Sequence, residues 1–231
     1  MVEGLLSWFA QLRWERLADM VITVCSAVLC ITVHETCHGL AAWALGDPTA
    51  KRAGRLTLNP MKHIDFFGLV VMAVARFGWA KPVPVNMYRF KNPKAGMALT
   101  ALAGPVSNAV LTWLAMMCYY VTAFYGYVYD SAVIGYLQTF FLYTALLSAG
   151  LAVFNLFPIP PLDGSKVLFS VIPNAWYDKL MRYERYGMIL LGALLLMNVL
   201  DGPLSAAQNG LIGLLEPISR WPFELLYRIY F

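Results

Sequence analysis

The 231-residue chain is 60% hydrophobic and only 13% charged, about half the charged fraction of a soluble globular protein. Two long stretches, residues 95–129 and 131–162, contain no charged residue. This composition excludes a disordered chain and a soluble domain, and it indicates a multi-pass membrane protein in contact with the lipid bilayer. The net charge of +4 is small and the basic residues do not alternate with aromatic ones, so a nucleic-acid partner has no support.

Apolar periodicity divides the chain into three parts. Residues 1–16 predict an interfacial helix, because leucine and phenylalanine recur at helical spacing ahead of a charged cluster. Residues 17–170 predict a membrane core, and residues 171–231 predict a C-terminal span with an interfacial tail. The predicted fold is an all-α polytopic membrane protein with about four transmembrane helices, at residues 17–45, 96–127, 132–157 and 186–200.

A segment of a different kind, residues 54–92, separates the first two predicted spans. Its apolar stretch from Phe66 to Ala75 is too short to cross a bilayer, and Lys62 and Arg76 flank it. We therefore expect a short membrane-associated region here, either re-entrant or a β-hairpin.

The basic residues predict the orientation of the chain. Residues 46–95 carry nine Lys and Arg and residues 163–185 carry four, whereas the connection at residues 128–131 carries none. Because basic loops remain on the cytoplasmic side, the first two segments are expected to be cytoplasmic.

The pentapeptide His34-Glu35-Thr36-Cys37-His38 lies late in the first predicted span. Histidines four residues apart share one face of a helix and can bind one Zn²⁺, with the glutamate placed beside the metal. A polar interhelical network is the alternative. Burying three ionisable side chains in a span is costly, however, and a metal is the usual compensation. The pattern thus predicts one zinc ion per chain.

Two histidines leave a catalytic zinc without its third protein ligand. Asp47, Asp65 and Asp163 are the carboxylates near span ends on the same side. Asp163 is favoured because three prolines lie between Asn155 and Asp163, and prolines that cannot continue a helix expose backbone groups at membrane depth. Such a break is tolerated where it lines a cavity or is buried in protein, so both side chains are expected to face a polar site. A helix that merely ends at the interface is the other reading.

At this point the sequence resembles the site-2 protease family, the zinc metalloproteases that cut substrates inside the membrane. The resemblance covers about residues 17–170. His34-Glu-x-x-His38-Gly is similar to the family's first motif, and Asn155-x-x-Pro-x-Pro-x-Leu-Asp163-Gly to its second. Three intervening segments also look like those of the family, and they begin at Gly54, Gly78 and Ala103. A phenylalanine, Phe66, stands where many relatives have proline.

The resemblance implies roles for these residues. His34, His38 and Asp163 would be the zinc ligands, Glu35 the catalytic base, and Asn155 a group that assists the substrate or the oxyanion. It also implies an intramembrane zinc endopeptidase in a bacterial or archaeal cell membrane, with its active site toward the cytoplasm and a transmembrane segment of another membrane protein as substrate.

A compact form of the family is predicted. No insertion of roughly a hundred residues fits a PDZ domain, and no appended regulatory domain follows the core. Control of substrate access would then come from the membrane core or from a regulatory membrane partner.

The segment around Pro82 and Pro84 is a candidate for substrate binding. In an extended strand these prolines remove two donors from one edge and leave the N–H groups of Lys81, Val83 and Val85 on the other. An unwound substrate could add to that edge, as the hairpin of the family is thought to allow. A loop without regular structure is the alternative for this proline segment. Asn108, in the third of the intervening segments, is also assigned to substrate binding.

Two other classes remain open from the sequence. A membrane zincin of another lineage would draw its third ligand from a glutamate on a following helix, for which Glu184 and Glu216 are poor candidates. A catalytically silent metal-binding scaffold would keep the ligands without needing a base, and the presence of Glu35 argues against it.

Overall fold

The computed structural model describes residues 14–65, 81–173 and 186–231. Within these ranges the chain is helical, with no β-strand. Two short 3₁₀ turns lie at Pro60–Lys62 and Met87–Arg89. The helices are α1 (Trp14–Ala44), α2 (Thr49–Arg52), α3 (Pro93–Val128), α4 (Ala132–Leu156), α5 (Asp163–Ser170), α6 (Tyr186–Leu196), α7 (Asp201–Ser219) and α8 (Trp221–Tyr230).

Three described helices are long and apolar enough to cross a membrane: Arg16–Ala44, Pro93–Val128 and Ala132–Leu156. They confirm the first three predicted spans within a few residues, and they make the protein a multi-pass membrane protein. Large apolar side chains such as Val24, Val110 and Leu137 are exposed on their outer surfaces, as expected of helices whose solvent is lipid.

The predicted fourth span is not one continuous helix. Helix α6 ends at Leu196, Asn198 adopts a positive φ of 56°, and the chain continues after a bend of 89° into the helices that begin at Asp201. Eleven residues of α6 extend only about 16 Å, so a fourth crossing exists only if the bent pair crosses together.

The C-terminal tail packs along the spanning helices. Ile212 and Leu215 of α7 lie against a buried cluster formed by Ala115, Met116 and Ala145 of α3 and α4. The tail also forms a hydrogen bond with a spanning helix: Gln208 Nε2 donates to the carbonyl of Leu146 at 2.9 Å. Residues 1–13 of the predicted interfacial helix and the whole apolar stretch expected to be re-entrant lie outside the described residues, and residues 14–16 begin α1.

Small polar side chains hold α1, α3 and α4 together. Thr144 Oγ1 donates to Ser26 Oγ at 3.2 Å, and Cys30 Sγ donates to the Thr144 carbonyl at 3.6 Å. Ser148 Oγ donates to the carbonyl of Asn108 at 2.8 Å. Small residues let helix backbones approach closely in lipid, and their hydrogen bonds fix the register between helices. That register sets the position of the α1 histidines against α3.

Candidate metal centre

Three buried side chains converge between α1 and α5. The distance from Asp163 Oδ2 is 3.1 Å to His34 Nε2 and 3.0 Å to His38 Nε2, and the two Nε2 atoms lie 3.0 Å apart. The three residues are 5%, 9% and 8% exposed for His34, His38 and Asp163. They form the one group of potential metal ligands found in the described part of the chain.

The chemistry of this triangle fits a cation better than a shared proton. One proton can bridge only one of the three atom pairs at a time, whereas a cation at the centre attracts all three lone pairs. Ligand atoms about 2.0–2.1 Å from a tetrahedral Zn²⁺ stand about 3.3 Å apart, close to the separations found here. Two imidazoles and one carboxylate also leave a fourth position open, which is the arrangement of a catalytic zinc site.

The orientation of His38 is fixed from outside the triangle. Its Nδ1 lies 2.7 Å from the carbonyl oxygen of Thr100 on α3, and a carbonyl can only accept, so Nδ1 carries the proton. The Nε2 lone pair therefore faces the triangle, as metal-binding histidines require. Nδ1 of His34 is buried and has no partner within the described residues.

Helix α3 reaches the histidines because Gly104 has no side chain. A Cβ added there would lie 2.5 Å from Cε1 and Nε2 of His38 and 2.6 Å from Cε1 of His34. Real Cβ contacts essentially never come so close. The glycine therefore allows the close approach that places both rings against α3.

A sharp return of the chain after α4 supplies Asp163. Helix α4 ends at Leu156, and Asp163 is the first residue of α5. Gly164 makes this return possible, because a Cβ there would lie 2.2 Å from the Leu156 carbonyl oxygen. Prolines between the two helices prevent α4 from continuing, so the break brings a carboxylate back to the level of the histidines.

Neighbouring groups stabilise the negative charge of Asp163. Lys166 Nζ lies 3.5 Å from Oδ1 of Asp163, and a cation at this distance favours the charged form of a buried carboxylate. Oδ2 faces the two imidazoles.

A cavity of about 340 Å³ opens beside the triangle. Its walls include the half-buried side chains of Glu35, Val83, Asn155 and Lys166. Asn155 Nδ2 donates to the carbonyl of Leu151 at 3.0 Å, which uses one of its two N–H bonds. Glu35 Oε2 accepts a hydrogen bond of 3.1 Å from the backbone N–H of Val83.

The residues predicted to bind substrate lie in different places. Val83 and Val85 line the cavity, but the N–H of Val83 already binds Glu35 and the N–H of Lys81 donates to the His63 carbonyl at 2.9 Å. Residues 81–86 belong to no helix or strand, Asn86 has an extended backbone, and the rest of the predicted hairpin, residues 66–80, is outside the described ranges.

Asn108 is not brought to the cavity. It is 0% exposed, and its carbonyl accepts bonds from Ser148 and Thr112 where α3 meets α4. Its side-chain amide has no partner among the described residues. Asn108 lies one turn from Gly104 on α3, is fully buried and does not line the cavity.

Two residues near the site, Lys166 and Asp47, have roles that the sequence analysis does not predict. Lys166 Nζ lies 3.5 Å from Oδ1 of Asp163, and the i,i+3 spacing on a helix could have indicated this. Asp47, considered above as a ligand, instead accepts the N–H of Asn86 at 2.6 Å. Of the two glutamates weighed as ligands, Glu184 and Glu216, only Glu216 lies in the described residues, and it pairs with Arg220 and Tyr120.

Histidine 63 is part of the scaffold. It is 0% exposed, and its Nε2 donates to the Thr57 carbonyl at 2.8 Å. The bond closes the turn that follows α2, in agreement with the structural role that its turn-forming neighbours favour.

Fold and site together define a polytopic membrane protein with a buried His-His-Asp metal centre and an adjacent glutamate. The sequence model of Peptidase family M50 matches residues 121–199. A Bacillus subtilis protein named "Putative zinc metalloprotease YwhC" is 40% identical over 174 residues, which cover 75% of this chain and 80% of that protein. A protein of Mycolicibacterium smegmatis named "Putative zinc metalloprotease Rip2" is 27% identical over 97% of this chain and 80% of its own length.

The chain therefore belongs to peptidase family M50, the site-2 protease family of zinc metalloproteases. Its cofactor is Zn²⁺, for which the His-His-Asp group supplies the ligands. No PDZ domain lies within the 231 residues. No solved structure matches the chain.

The ligand set can be tested by zinc content. We expect His34→Ala, His38→Ala and Asp163→Ala each to lose most of the zinc, because every ligand lost leaves too few donors for a tightly held ion. His63→Ala should retain it, since His63 Nε2 donates to the Thr57 carbonyl and His63 is not part of the metal-ligand group. Metal analysis of the purified proteins measures this, and a His34→Ala, His38→Ala double variant that kept its zinc would contradict the assignment.

The close approach at Gly104 makes a second prediction. Gly104→Ala should weaken zinc binding by about 10- to 100-fold, the range seen when groups that orient metal ligands are disturbed. Gly126→Ala on the same helix is the matched control, because its nearest contact would be an ordinary 3.5 Å. Competition with a chelator of known affinity measures the difference, and equal zinc affinity in the two variants would refute the role of Gly104.

Proposed function

We propose that this zinc metalloprotease hydrolyses peptide bonds within or near the transmembrane segments of other membrane proteins. One observation carries the proposal: two of the three metal ligands, His34 and His38, lie on a spanning helix, with His34 ten residues before the end of α1. Ten helical residues correspond to about 15 Å. A soluble peptide would have to enter the bilayer to reach this depth, whereas a transmembrane substrate is already there.

His34, His38 and Asp163 would hold Zn²⁺, which would supply Lewis-acid chemistry to the scissile peptide bond and to water. Glu35 accepts the proton of the attacking water and later delivers it to the leaving amine. The second N–H of Asn155 is available to the oxyanion, since only one is used by Leu151. Lys166 keeps Oδ1 of Asp163 occupied at 3.5 Å, leaving Oδ2 for the metal.

The substrate must be unwound where it is cut, because an intact helix engages its carbonyls in its own hydrogen bonds. Residues 81–86 offer a place to hold the unwound segment. Val85 lines the cavity, and its N–H has no partner within the described residues. To pair with the substrate, the Val83 N–H would first have to break its hydrogen bond to Glu35. The Val85 N–H has no such bond to break, so Val85 would bind the substrate first.

The cavity faces the cytoplasm in this proposal. The argument is the distribution of basic residues, nine of which lie in residues 46–95, next to the metal-bearing end of α1. Water would enter from that side. A membrane partner that covers the cavity would regulate access.

The activity is tested by co-expression with a panel of tagged single-span proteins. Glu35→Gln keeps the shape of the side chain but cannot accept the water's proton, so cleavage should fall by about 10²- to 10⁴-fold. Zinc content should be unchanged. Glu224→Gln, an exposed change on α8, is the control.

Mass spectrometry of the fragments locates the cut. Cleavage inside or next to a transmembrane segment by the wild type and by Glu224→Gln, and not by Glu35→Gln, is the expected result. Cuts confined to soluble loops would contradict the intramembrane part of the proposal, and undiminished cleavage by Glu35→Gln would contradict the role of Glu35.

Orientation is tested by single cysteines at two exposed positions, Lys91→Cys and Tyr129→Cys. The four native cysteines must first be replaced, including Cys37 within the metal motif. In intact cells an impermeant thiol reagent should label Tyr129→Cys and should reach Lys91→Cys only after permeabilisation. The reverse pattern would place the cavity on the other side of the membrane.

A further inference from the structure

The segment 81–86, here called the strap, is bonded at its two ends and at its middle. Its first N–H, that of Lys81, donates to the His63 carbonyl at 2.9 Å. The N–H of Val83 donates to Glu35 Oε2 at 3.1 Å, and the N–H of Asn86 donates to Asp47 Oδ2 at 2.6 Å. Glu35 thus meets the strap at its middle, between two anchored ends.

Asp47 anchors the C-terminal end of the strap. It is 0% exposed and lies three residues after α1 ends at Ala44. Oδ1 accepts hydrogen bonds from the backbone N–H and the hydroxyl of Thr49, and Arg89 Nε lies 3.7 Å away. Both oxygens of a buried carboxylate are therefore committed to this junction, which satisfies the charge.

The charge state of Asp47 agrees with this role. Burial alone would raise its pKa, but the N–H of Asn86, the N–H and hydroxyl of Thr49 and the Arg89 guanidinium hold the pKa below its ordinary value. The carboxylate is therefore ionised at neutral pH, when its bond to the strap is strongest.

Arg55 anchors the N-terminal end. Arg55 is only 7% exposed. Its Nη2 donates to the carbonyls of Lys81 at 2.5 Å and of Pro82 at 3.3 Å. A guanidinium is suited to this position because its planar donors can serve two neighbouring carbonyls at once.

The strap between the anchors is stiff. Pro82 and Pro84 flank Val83, and each proline fixes its own φ near −65° and restricts the residue before it. Because few torsions remain free, fixing the two ends also fixes the Val83 N–H. The side chains of Pro82 and Val83 line the cavity beside the metal ligands.

We propose that Asp47 and Arg55 are positioning residues for proteolysis: they hold the strap at the height at which the Val83 N–H orients the carboxylate of Glu35. The inference rests on the proposed function. A general base acts only within hydrogen-bond reach of the proton that it removes, and a displacement of about 1 Å from distant causes can cost about 10²-fold in rate. Neither Asp47 nor Arg55 lines the cavity, so both act through the strap.

Two variants test the anchors separately. Asp47→Asn keeps the shape but replaces one acceptor by a donor, and Arg55→Gln removes the double donor. Their controls are Asp130→Asn and Arg52→Gln, which alter exposed side chains of the same types. Arg55→Lys keeps the charge in place and serves if Arg55→Gln does not fold.

The first readout is amide hydrogen exchange in residues 81–90 of the purified full chain, with zinc content measured in parallel. We expect about 10-fold faster exchange at the protected amides of both anchor variants, unchanged exchange in the controls, and full zinc occupancy throughout. This readout needs no substrate, so it remains informative if no substrate of the enzyme is found.

The second readout is kcat and KM for a transmembrane peptide that the wild type cleaves. The anchor variants should lower kcat by about 10- to 100-fold. In a Val83→Pro background, which already lacks the N–H, Asp47→Asn should cause no further loss of kcat, because residues that act through one contact are not additive.

Three results would overturn the proposal. They are faster strap exchange with unchanged kcat, a loss of kcat that is fully additive with Val83→Pro, and a loss of activity that follows a loss of zinc. Failure of the wild type to cleave any transmembrane peptide would instead reject the proposed function, while the exchange measurement would still test the anchors.

Discussion

The structure depends on the need to neutralise ionisable side chains that are buried between helices. His34, His38 and Asp163 lie about 3 Å from one another with at most 9% exposure. A divalent cation held there would offset the charge of Asp163 and of the half-buried Glu35, and neutral imidazoles would add no charge. Without such compensation these groups would be very costly to bury. The closeness of α3 at Gly104, the return of the chain at Gly164 and the polar contacts between the spans all serve to assemble this one cluster.

The same constraint explains why the metal ligands of α1 lie on a regular helix while part of the cavity wall is irregular. Ligands on α1 are held by a helix whose register is set by hydrogen bonds to α3 and α4, so their spacing is fixed. The cavity, in contrast, is walled partly by the strap, whose backbone groups bond to side chains rather than to a sheet. A segment of this kind can hold a general base and still offer a backbone edge to an unwound substrate.

Much of the site could be predicted because it depends on local rules. An i,i+4 pair of histidines shares a helix face wherever the helix lies, and prolines after Asn155 must break α4. Contacts between distant segments could not be predicted. Nothing in residues 81–86 indicates that Val83 meets Glu35, which is 48 residues away. A motif names a residue type without showing which helix face is covered, so it does not indicate that Asn108 is buried where α3 meets α4. The bend between α6 and α7 was missed although Asn198 and the Asp201-Gly-Pro sequence signal it.

The central claim is that two imidazoles and one carboxylate hold a zinc ion open to water. X-ray absorption at the zinc edge of the purified protein tests this most directly, because nitrogen or oxygen ligands lie at about 2.0–2.1 Å and sulfur at about 2.3 Å. The account predicts a first shell of light atoms with the multiple scattering of two imidazoles. The small amount of zinc that remains in His38→Ala should show one imidazole only. A sulfur ligand, as Cys37 could supply, or a third imidazole, as His63 could supply, would contradict it.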